Sequence, residues 1–319
     1  MELKYKLLNW INKDYLNKFN LSENPNAIHF LEEYPKSIEG FNLSLNPNAI
    51  SLLEKYPEKI NWSYLSVNSN AIHLLEQNLE KIDWCYLSAN SNAISLLEKY
   101  PEKINWSTLS KNPKAIHLLE QNSKRIDWYY LSQNPNAIPL LEKYPEKINW
   151  STLSKNPKAI PLLEKYPEKI DWFWLSSNIN AIPLLEKYPE KINWSALSQN
   201  PKAIHLLEQN PEKINGYYLS KNPNAISLLE QNPEKIDWSA LSQNPKAIHL
   251  LEQNQETIDW FHLSRNPAIF ELDYQEISIQ RTVILLEDMM KKVLHPLRIQ
   301  NIIDTYHMDF EKYIEIMYM

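Results

Sequence analysis

The chain has 319 residues, of which 43% are hydrophobic, and its net charge is −6. The apolar share excludes a disordered tail, and the acidic balance disfavours a general binder of nucleic acid or of anionic membranes. Only two residues are Gly, against 21 Pro. Phosphate loops, dinucleotide fingerprints and nucleophile elbows need Gly at tight turns, so most nucleotide enzymes and α/β hydrolases are excluded.

Residues 1–20 form a degenerate half-repeat, which we predict to be an N-terminal cap. The segment has no apolar run followed by a small-residue cleavage site, so it does not read as a signal peptide. Lys18 stands where later units carry Trp. A polar residue there suits a terminal surface that faces solvent.

A strict repeat occupies residues 21–262. The dipeptide Leu-Ser begins at 21 and recurs every 22 residues up to 263, which gives eleven complete repeats. With Leu as position 1, the consensus is L-S-x-N-P-[NK]-A-I-x-L-L-E-[KQ]-[YN]-P-E-K-I-[ND]-W-x-x. A fixed period of this length predicts a solenoid, and eleven layers predict an elongated array of about 100 Å.

Each repeat reads as two helical segments, so the expected fold class is all-α, an α-solenoid or superhelix. Asn at position 4 is expected to cap a medium helix of nine or ten residues with Pro at its first position. Pro at position 15 ends that helix. Asn or Asp at position 19 then caps a short α or 3₁₀ segment that begins at Trp.

Two positions of the short segment show regular patterns. Trp at position 20 recurs as a tryptophan ladder, which we interpret as a packed core between repeats. Position 21 alternates large and small residues with a period of 44, from Phe41 and Ser63 to Ser239 and Phe261. This alternation predicts interlocking contacts between neighbouring repeats.

The titratable residues predict no catalytic, cofactor-binding or metal site. Glu at position 12 is present in all eleven repeats, and identical copies do not define one site. His at position 9 recurs two or more layers apart and exchanges with Pro, so these side chains are expected on the surface. Cys85 is the single cysteine and is expected to be an inert thiol, which fits a reducing compartment.

The repeat register fails after Pro267, and residues 263–319 are expected to form a helical C-terminal cap. Its apolar spacing predicts helices near 275–294, 297–305 and 308–318. The NPNAI and LLEKYPEKINW units, with NPAIFELDY and VLHPLRI in the tail, resemble repeat proteins of giant DNA viruses of the mimivirus type. The resemblance covers nearly the whole chain and implies a viral origin rather than an activity. The alternation of a helix with a short helix also resembles leucine-rich-variant solenoids, by analogy alone.

The function that these observations favour is a non-enzymatic scaffold for protein–protein interaction, acting as a monomer inside the cell, in the host cytoplasm or the virion. Function in solenoids lies in the variable positions, which here are 3, 21 and 22. Exposed aromatic residues often anchor protein interfaces. The candidate partner-binding residues at position 22 are Tyr64, Tyr86, Tyr130, Trp174, Tyr218 and His262.

Two alternatives stay open at this stage. The first is a helical-repeat protein that binds nucleic acid, which the lysines and the stacked aromatic residues favour. The repeats oppose it, because residues 21–262 hold 23 basic and 28 acidic side chains. The second is a structural component of the virion. No segment approaches the 18 apolar residues of a membrane helix, so no membrane partner is expected.

Overall fold

The computed structural model describes residues 4–293 and 295–317, and the fold is an all-α solenoid. Close backbone contacts divide the chain into two units: Leu7–Phe270, which holds the repeats, and a second unit that takes in residues up to Lys6 and from Glu271 onward. The all-α solenoid expected from the period is confirmed.

Each repeat contributes two short α-helices and one 3₁₀ turn. The helices that begin at position 20 are Lys18–Glu23, Gly40–Leu45, Trp62–Val67, Trp84–Ala89, Trp106–Leu109, Trp128–Gln133, Trp150–Ser154, Trp172–Ser177, Trp194–Ser198, Gly216–Lys221, Trp238–Ser242 and Trp260–Leu263. The helices that begin at position 8 are Ile28–Glu33, Ile50–Lys55, Ile72–Glu76, Ile94–Lys99, Ile116–Gln121, Ile138–Lys143, Ile160–Lys165, Ile182–Lys187, Ile204–Glu208, Ile226–Gln231 and Ile248–Gln253.

The 3₁₀ turns mostly begin at Pro of position 15, where no backbone N–H is needed. They are Lys13–Tyr15, Pro35–Ser37, Pro57–Lys59, Leu79–Lys81, Pro101–Lys103, Ser123–Arg125, Pro145–Lys147, Pro167–Lys169, Pro189–Lys191, Pro211–Lys213, Pro233–Lys235, Gln255–Thr257 and Pro267–Ile269. Strands Tyr5–Leu7 and Phe270–Leu272 form a two-stranded sheet. The tail contains the helices Tyr274–Val293, Pro296–Tyr306 and Phe310–Met317.

One of the two predicted caps is where we expected it. Asn61 accepts a hydrogen bond from the amide of Tyr64 and begins the helix at Trp62, as position 19 does in most repeats. The position-4 cap is different, because Asn46 ends the helix Gly40–Leu45 and the next helix begins only at Ile50. The Asn-Pro segment between them is a turn, so the second helix has five or six residues instead of nine or ten.

The buried asparagines of position 4 connect successive repeats. The side-chain amide of Asn46 donates to the carbonyl oxygens of Ser22, at 3.1 Å, and of Asn24, at 2.9 Å. The same two bonds recur at each later repeat up to Asn266. Since a buried polar group without a partner is costly, this row of amides fixes the register of the stack.

The row has no free end, because the first asparagine bonds to the last repeat. The side-chain amide of Asn24 donates to the carbonyl oxygens of Ser264, at 3.1 Å, and of Asn266, at 3.0 Å. The amide of Asn17 bonds to the Ser264 hydroxyl at 2.7 Å, as the amide of Glu39 bonds to Ser22 at 3.0 Å. Every side-chain hydrogen bond of this joint has a counterpart inside the array.

The repeats therefore close into a ring, and the expected elongated array is wrong. Twelve position-4 asparagines, from Asn24 to Asn266, complete the circle, so each repeat turns by about 30° relative to the previous one. Residues 12–20, which we expected to cap an open end, lie in repeat register against the last repeat: Tyr15 contacts Trp260 with ring centroids 5.1 Å apart. The ring has neither of the terminal surfaces of an open solenoid.

The two layers of helices lie at different radii. Successive helices that begin at position 20 approach one another closely along the array, with Cα atoms within 8 Å, whereas successive helices that begin at position 8 make no comparable approach. In a closed ring the narrow edge of each wedge points to the axis. The helices that begin at position 20 are therefore the inner helices, and those that begin at position 8 are the outer helices.

Trp at position 20 lies packed at the joints between repeats, where the tryptophan ladder was expected, but it is half-buried at every occurrence and so lies at the margin of the core. Where position 14 of the next repeat is Tyr, the two rings meet, as in Trp84 with Tyr100 at 5.4 Å. Where position 14 is Asn and position 17 is basic, the basic side chain covers the indole, as Lys81 does over Trp62 at 4.6 Å. The fully buried core consists of Leu and Ala at positions 1, 7 and 11.

Candidate functional site

Repeat positions 3, 21 and 22 lie on one side of each inner helix. Positions 3 and 21 are exposed or half-buried throughout. Position 22 is exposed or half-buried in seven of these helices and is buried at Asn20, Asn42, Thr152, Ala196 and Ala240. At about 100° per residue these positions lie opposite positions 1 and 2. Positions 1 and 2, such as Leu65 and Ser66, are completely buried and point toward the outer helices. The opposite face, with positions 3, 21 and 22, therefore points toward the axis of the ring.

The large residues of position 21 are exposed on this inward face. Their exposed fractions are 40% for Phe41 and Phe173, 46% for Tyr217, and 49% for Tyr129 and Phe261. These side chains are therefore not enclosed in a buried core, although the small position-22 residues of the alternate repeats, Thr152, Ala196 and Ala240, are buried. The missed signal was the exchange of Phe and Tyr with Ser and Cys, since a buried position rarely tolerates both.

All six candidate residues of position 22 lie on the same face. Tyr86 is exposed, and Tyr64, Tyr130, Trp174, Tyr218 and His262 are half-buried. Four of them contact the preceding position-21 ring edge to face: Tyr130, Trp174, Tyr218 and His262, with centroids 4.8–5.3 Å apart. We call the aromatic residues of positions 21 and 22, together with His262, the aromatic belt.

The aromatic belt has two arrangements along the ring. From Tyr129 to His262, aromatic pairs alternate with repeats that carry Ser with Thr or Ala. From Phe19 to Tyr86, one aromatic residue per repeat forms a continuous row, with centroids 6.0 Å apart for Phe19 and Phe41, 3.8 Å for Phe41 and Tyr64, and 5.6 Å for Tyr64 and Tyr86. The first arrangement leaves gaps between aromatic pairs, and the second leaves none.

Lysines of position 3 add charge to the belt. The ammonium of Lys111 lies 3.9 Å from the ring centroid of Tyr130, and that of Lys155 lies 3.2 Å from that of Trp174. Lys221 donates a 2.6 Å hydrogen bond to the hydroxyl of Tyr217. The sequence showed that position 3 varies, but it did not show that its lysines lie on the aromatic rings of positions 21 and 22.

Ser239, Asp259 and His262 form a polar cluster beside the belt. Both the Ser239 hydroxyl, at 3.0 Å, and the Asp259 carboxylate, at 2.7 Å, contact the same ring nitrogen of His262, Nδ1. A catalytic triad needs the acid and the nucleophile on opposite ring nitrogens, so this geometry does not match one. Burial would raise the pKa of Asp259, but hydrogen bonds from Ser239 and His262 hold it below its usual value.

The outer surface carries the acidic row of position 12. His73 contacts Glu54 at 3.0 Å, and His117, His205 and His249 make the equivalent contact with the preceding repeat. These histidines are exposed, as predicted. Cys85 is also exposed. Across residues 4–293 and 295–317, no group of three or more His, Cys, Asp or Glu side chains could hold a metal ion.

The fold and this surface define a closed α-solenoid of 22-residue repeats with an inward-facing aromatic belt. Comparisons with protein-family models, with curated proteins and with solved structures find no match. Within the described part of the chain, no helix is both long and apolar enough to span a membrane.

Proposed function

We propose that this ring is a non-enzymatic scaffold that binds a protein partner on its aromatic belt. The observation that supports the proposal is the set of aromatic side chains of position 21, which are 40–49% exposed on the inward face. Exposed aromatic clusters are typical anchors of protein interfaces, and apolar surface that is left exposed over a continuous patch favours binding.

The closed joint supports a monomer. In an open solenoid the two terminal repeats present complementary surfaces, whereas here they engage each other through Asn24 and Asn266. The resemblance of the repeat units to those of giant DNA viruses supports a viral protein that acts inside the infected cell. A structural role in the virion uses the same surface and is a variant of this proposal.

The test compares two variants that each lose one aromatic edge-to-face contact. Trp174→Ala removes a ring from the belt, where it contacts Phe173 at 4.8 Å, and Tyr144→Ala removes a ring from the outer side, where it contacts Trp128 at 5.3 Å. Partners captured from infected cells by the tagged wild-type chain are purified and titrated with each variant. We expect Trp174→Ala to weaken binding by about 1–3 kcal/mol and Tyr144→Ala to leave it unchanged. Equal binding by all three chains would reject the belt as the interface.

A further inference from the structure

The joint that follows the first inner helix, Lys18–Glu23, lacks the tryptophan of position 20. Nine of the twelve inner helices carry Trp at this position, and the other three carry Lys18, Gly40 and Gly216. A polar residue there would suit a terminal surface that faces solvent. Because the repeats close into a ring, no terminal surface exists, and Lys18 requires a different explanation.

The three joints without Trp differ in how their space is filled. A Cβ atom at Gly40 would overlap the carbonyl oxygen of Lys59, and a Cβ atom at Gly216 would overlap that of Lys235. At both glycines the following 3₁₀ turn therefore lies against the helix and leaves no room for an indole. The joint at Lys18 instead contains a cavity of about 340 Å³.

This cavity lies where a tryptophan would meet its tyrosine. Lys18 and Tyr34 both line it, and they hold the two positions that Trp and Tyr occupy at other joints. At the four joints that have both rings, such as Trp84 with Tyr100, the ring centroids are 5.1–5.4 Å apart. At the first joint the tyrosine ring is present and 39% exposed, but the chain supplies no indole to pack against it.

The rest of the wall is apolar and partly aromatic. Leu16 and Leu21 line the cavity and are buried. Phe30, which also lines it, stands at position 10, where the other ten repeats carry Leu. The ring of Phe30 lies 4.8 Å from that of Tyr34. The first repeat therefore adds a second aromatic ring at the joint that has lost its tryptophan.

The polar groups of the cavity carry both signs of charge. Lys13 and Lys18 supply two ammonium groups, and Asp14 supplies a carboxylate. Lys13 also donates a hydrogen bond to the hydroxyl of Tyr34 at 3.2 Å. Since charges of both signs line the same cavity, the class of ligand is decided by the aromatic and apolar walls and not by a charge.

We infer that this cavity binds a small planar aromatic compound of about the size of an indole, in the place that Trp takes at other joints. Apolar walls that face an unfilled space lack dispersion contacts, which a ring of matching shape restores. A cavity left by an absent core side chain can bind an aromatic molecule. A volume of about 340 Å³ is at the small end of the range for ligand pockets.

This site is separate from the proposed partner surface. None of the residues that line the cavity belongs to the aromatic belt. Binding of an aromatic compound here therefore goes beyond the proposed scaffold function and does not depend on it.

The experiment measures binding of 5-fluoroindole to the full chain by fluorine NMR. We expect the wild type to bind with a Kd on the order of 1 mM, the affinity of a ligand with about ten non-hydrogen atoms. Lys18→Trp restores the consensus side chain, fills the cavity and should abolish binding without lowering the midpoint of thermal unfolding. Lys18→Ala keeps the cavity open and should retain binding.

A second pair of variants tests the aromatic wall. Tyr34→Ala should weaken binding about three- to tenfold, because the ligand loses its ring contact. The matched control is Tyr56→Ala, which removes the tyrosine of position 14 from the next repeat, where the joint is closed at Gly40. This control should bind like the wild type.

Three outcomes would overturn the inference: no binding by the wild type, undiminished binding by Lys18→Trp, or equal losses in Tyr34→Ala and Tyr56→Ala. The proposed function is tested independently, because capture of a protein partner through Trp174 does not require the cavity.

Discussion

The joint that closes the ring and a joint inside the array use the same contacts at very different sequence separations. Asn46 reaches back 22 residues to Asn24, whereas Asn24 reaches Asn266 across 242 residues. The internal joint forms from adjacent chain segments, so its closure entropy is small. The closing joint forms only when the angles between all the intervening repeats add up to a full turn. Equivalent contacts therefore depend on different parts of the chain: an internal joint on two adjacent repeats, and the closing joint on all of them.

The largest expected effect comes from changing the number of repeats. Deleting Leu109–Thr152 keeps the register but leaves ten of the twelve position-4 asparagines around the ring, so that each unit would have to turn by about 36° instead of 30° to close. We expect the closing joint to be lost, and with it five side-chain hydrogen bonds between the ends, worth about 1 kcal/mol each.

The readout of this deletion is hydrogen–deuterium exchange at the amide of Asn17, with the amide of Glu39 as its internal counterpart. Both amides bond to a serine hydroxyl in or at the end of the preceding inner helix. Loss of protection at Asn17 alone is expected. Full protection at both amides in the shortened chain would show that the angle between repeats can increase. The ring would then not require twelve units to close.

A second prediction compares single asparagines at the two kinds of joint. Asn24→Ala and Asn112→Ala each remove two buried hydrogen bonds to carbonyl oxygens, so each should lower the free energy of unfolding by about 2–4 kcal/mol. Denaturant titration measures both. A cost below about 0.5 kcal/mol at Asn24 alone would mean that the ring is open in solution.

A third prediction concerns the joint next to Gly216, which replaces the Trp of position 20. A Cβ atom at Gly216 would overlap the carbonyl oxygen of Lys235, because the following 3₁₀ turn lies close to the helix here. Restoring the consensus with Gly216→Trp should therefore lower stability by about 1–3 kcal/mol. Gly216→Ala carries the same Cβ and should also destabilise. A rise in the midpoint of thermal unfolding for either variant would contradict this packing.

The smallest expected effect is at the ion pair across the closing joint. Arg265 contacts Glu23 at 3.1 Å, and both side chains are about two-fifths exposed. Arg265→Ala should cost less than about 1 kcal/mol, and the loss should shrink as salt screens the pair. Thermal unfolding at low and at high salt measures this. A loss above that range, unchanged by salt, would mean that Arg265 acts through packing.

The sequence was sufficient for the class of fold and for the short helix that Asn61 caps, because period and capping are local properties. It was insufficient for the closure of the ring. Asn24 and Asn46 stand in the same Asn-Pro-Asn-Ala-Ile motif, so the motif does not distinguish the closing joint from an internal one. The angle between repeats depends on how whole layers pack. The position-4 cap was misassigned because an asparagine can cap either end of a turn.

The candidate surface was predictable in part. The variable positions 3, 21 and 22 share one face of the inner helices, and all six candidate residues of position 22 lie on it. The inward direction of that face depends on the closure. For this reason the contact of Lys155 with the ring of Trp174 on the inward face could not be predicted from the sequence.

Closure also affects self-assembly. An open array with two complementary ends can bind further copies head to tail. Such interfaces generate filaments unless the rotation between copies closes into a ring. In this chain the bonds from Asn24 to Ser264 and Asn266 complete the rotation within one molecule, much as a barrel removes the open edges of a sheet. The repeats can therefore be nearly identical along the chain without forming a template for polymer growth.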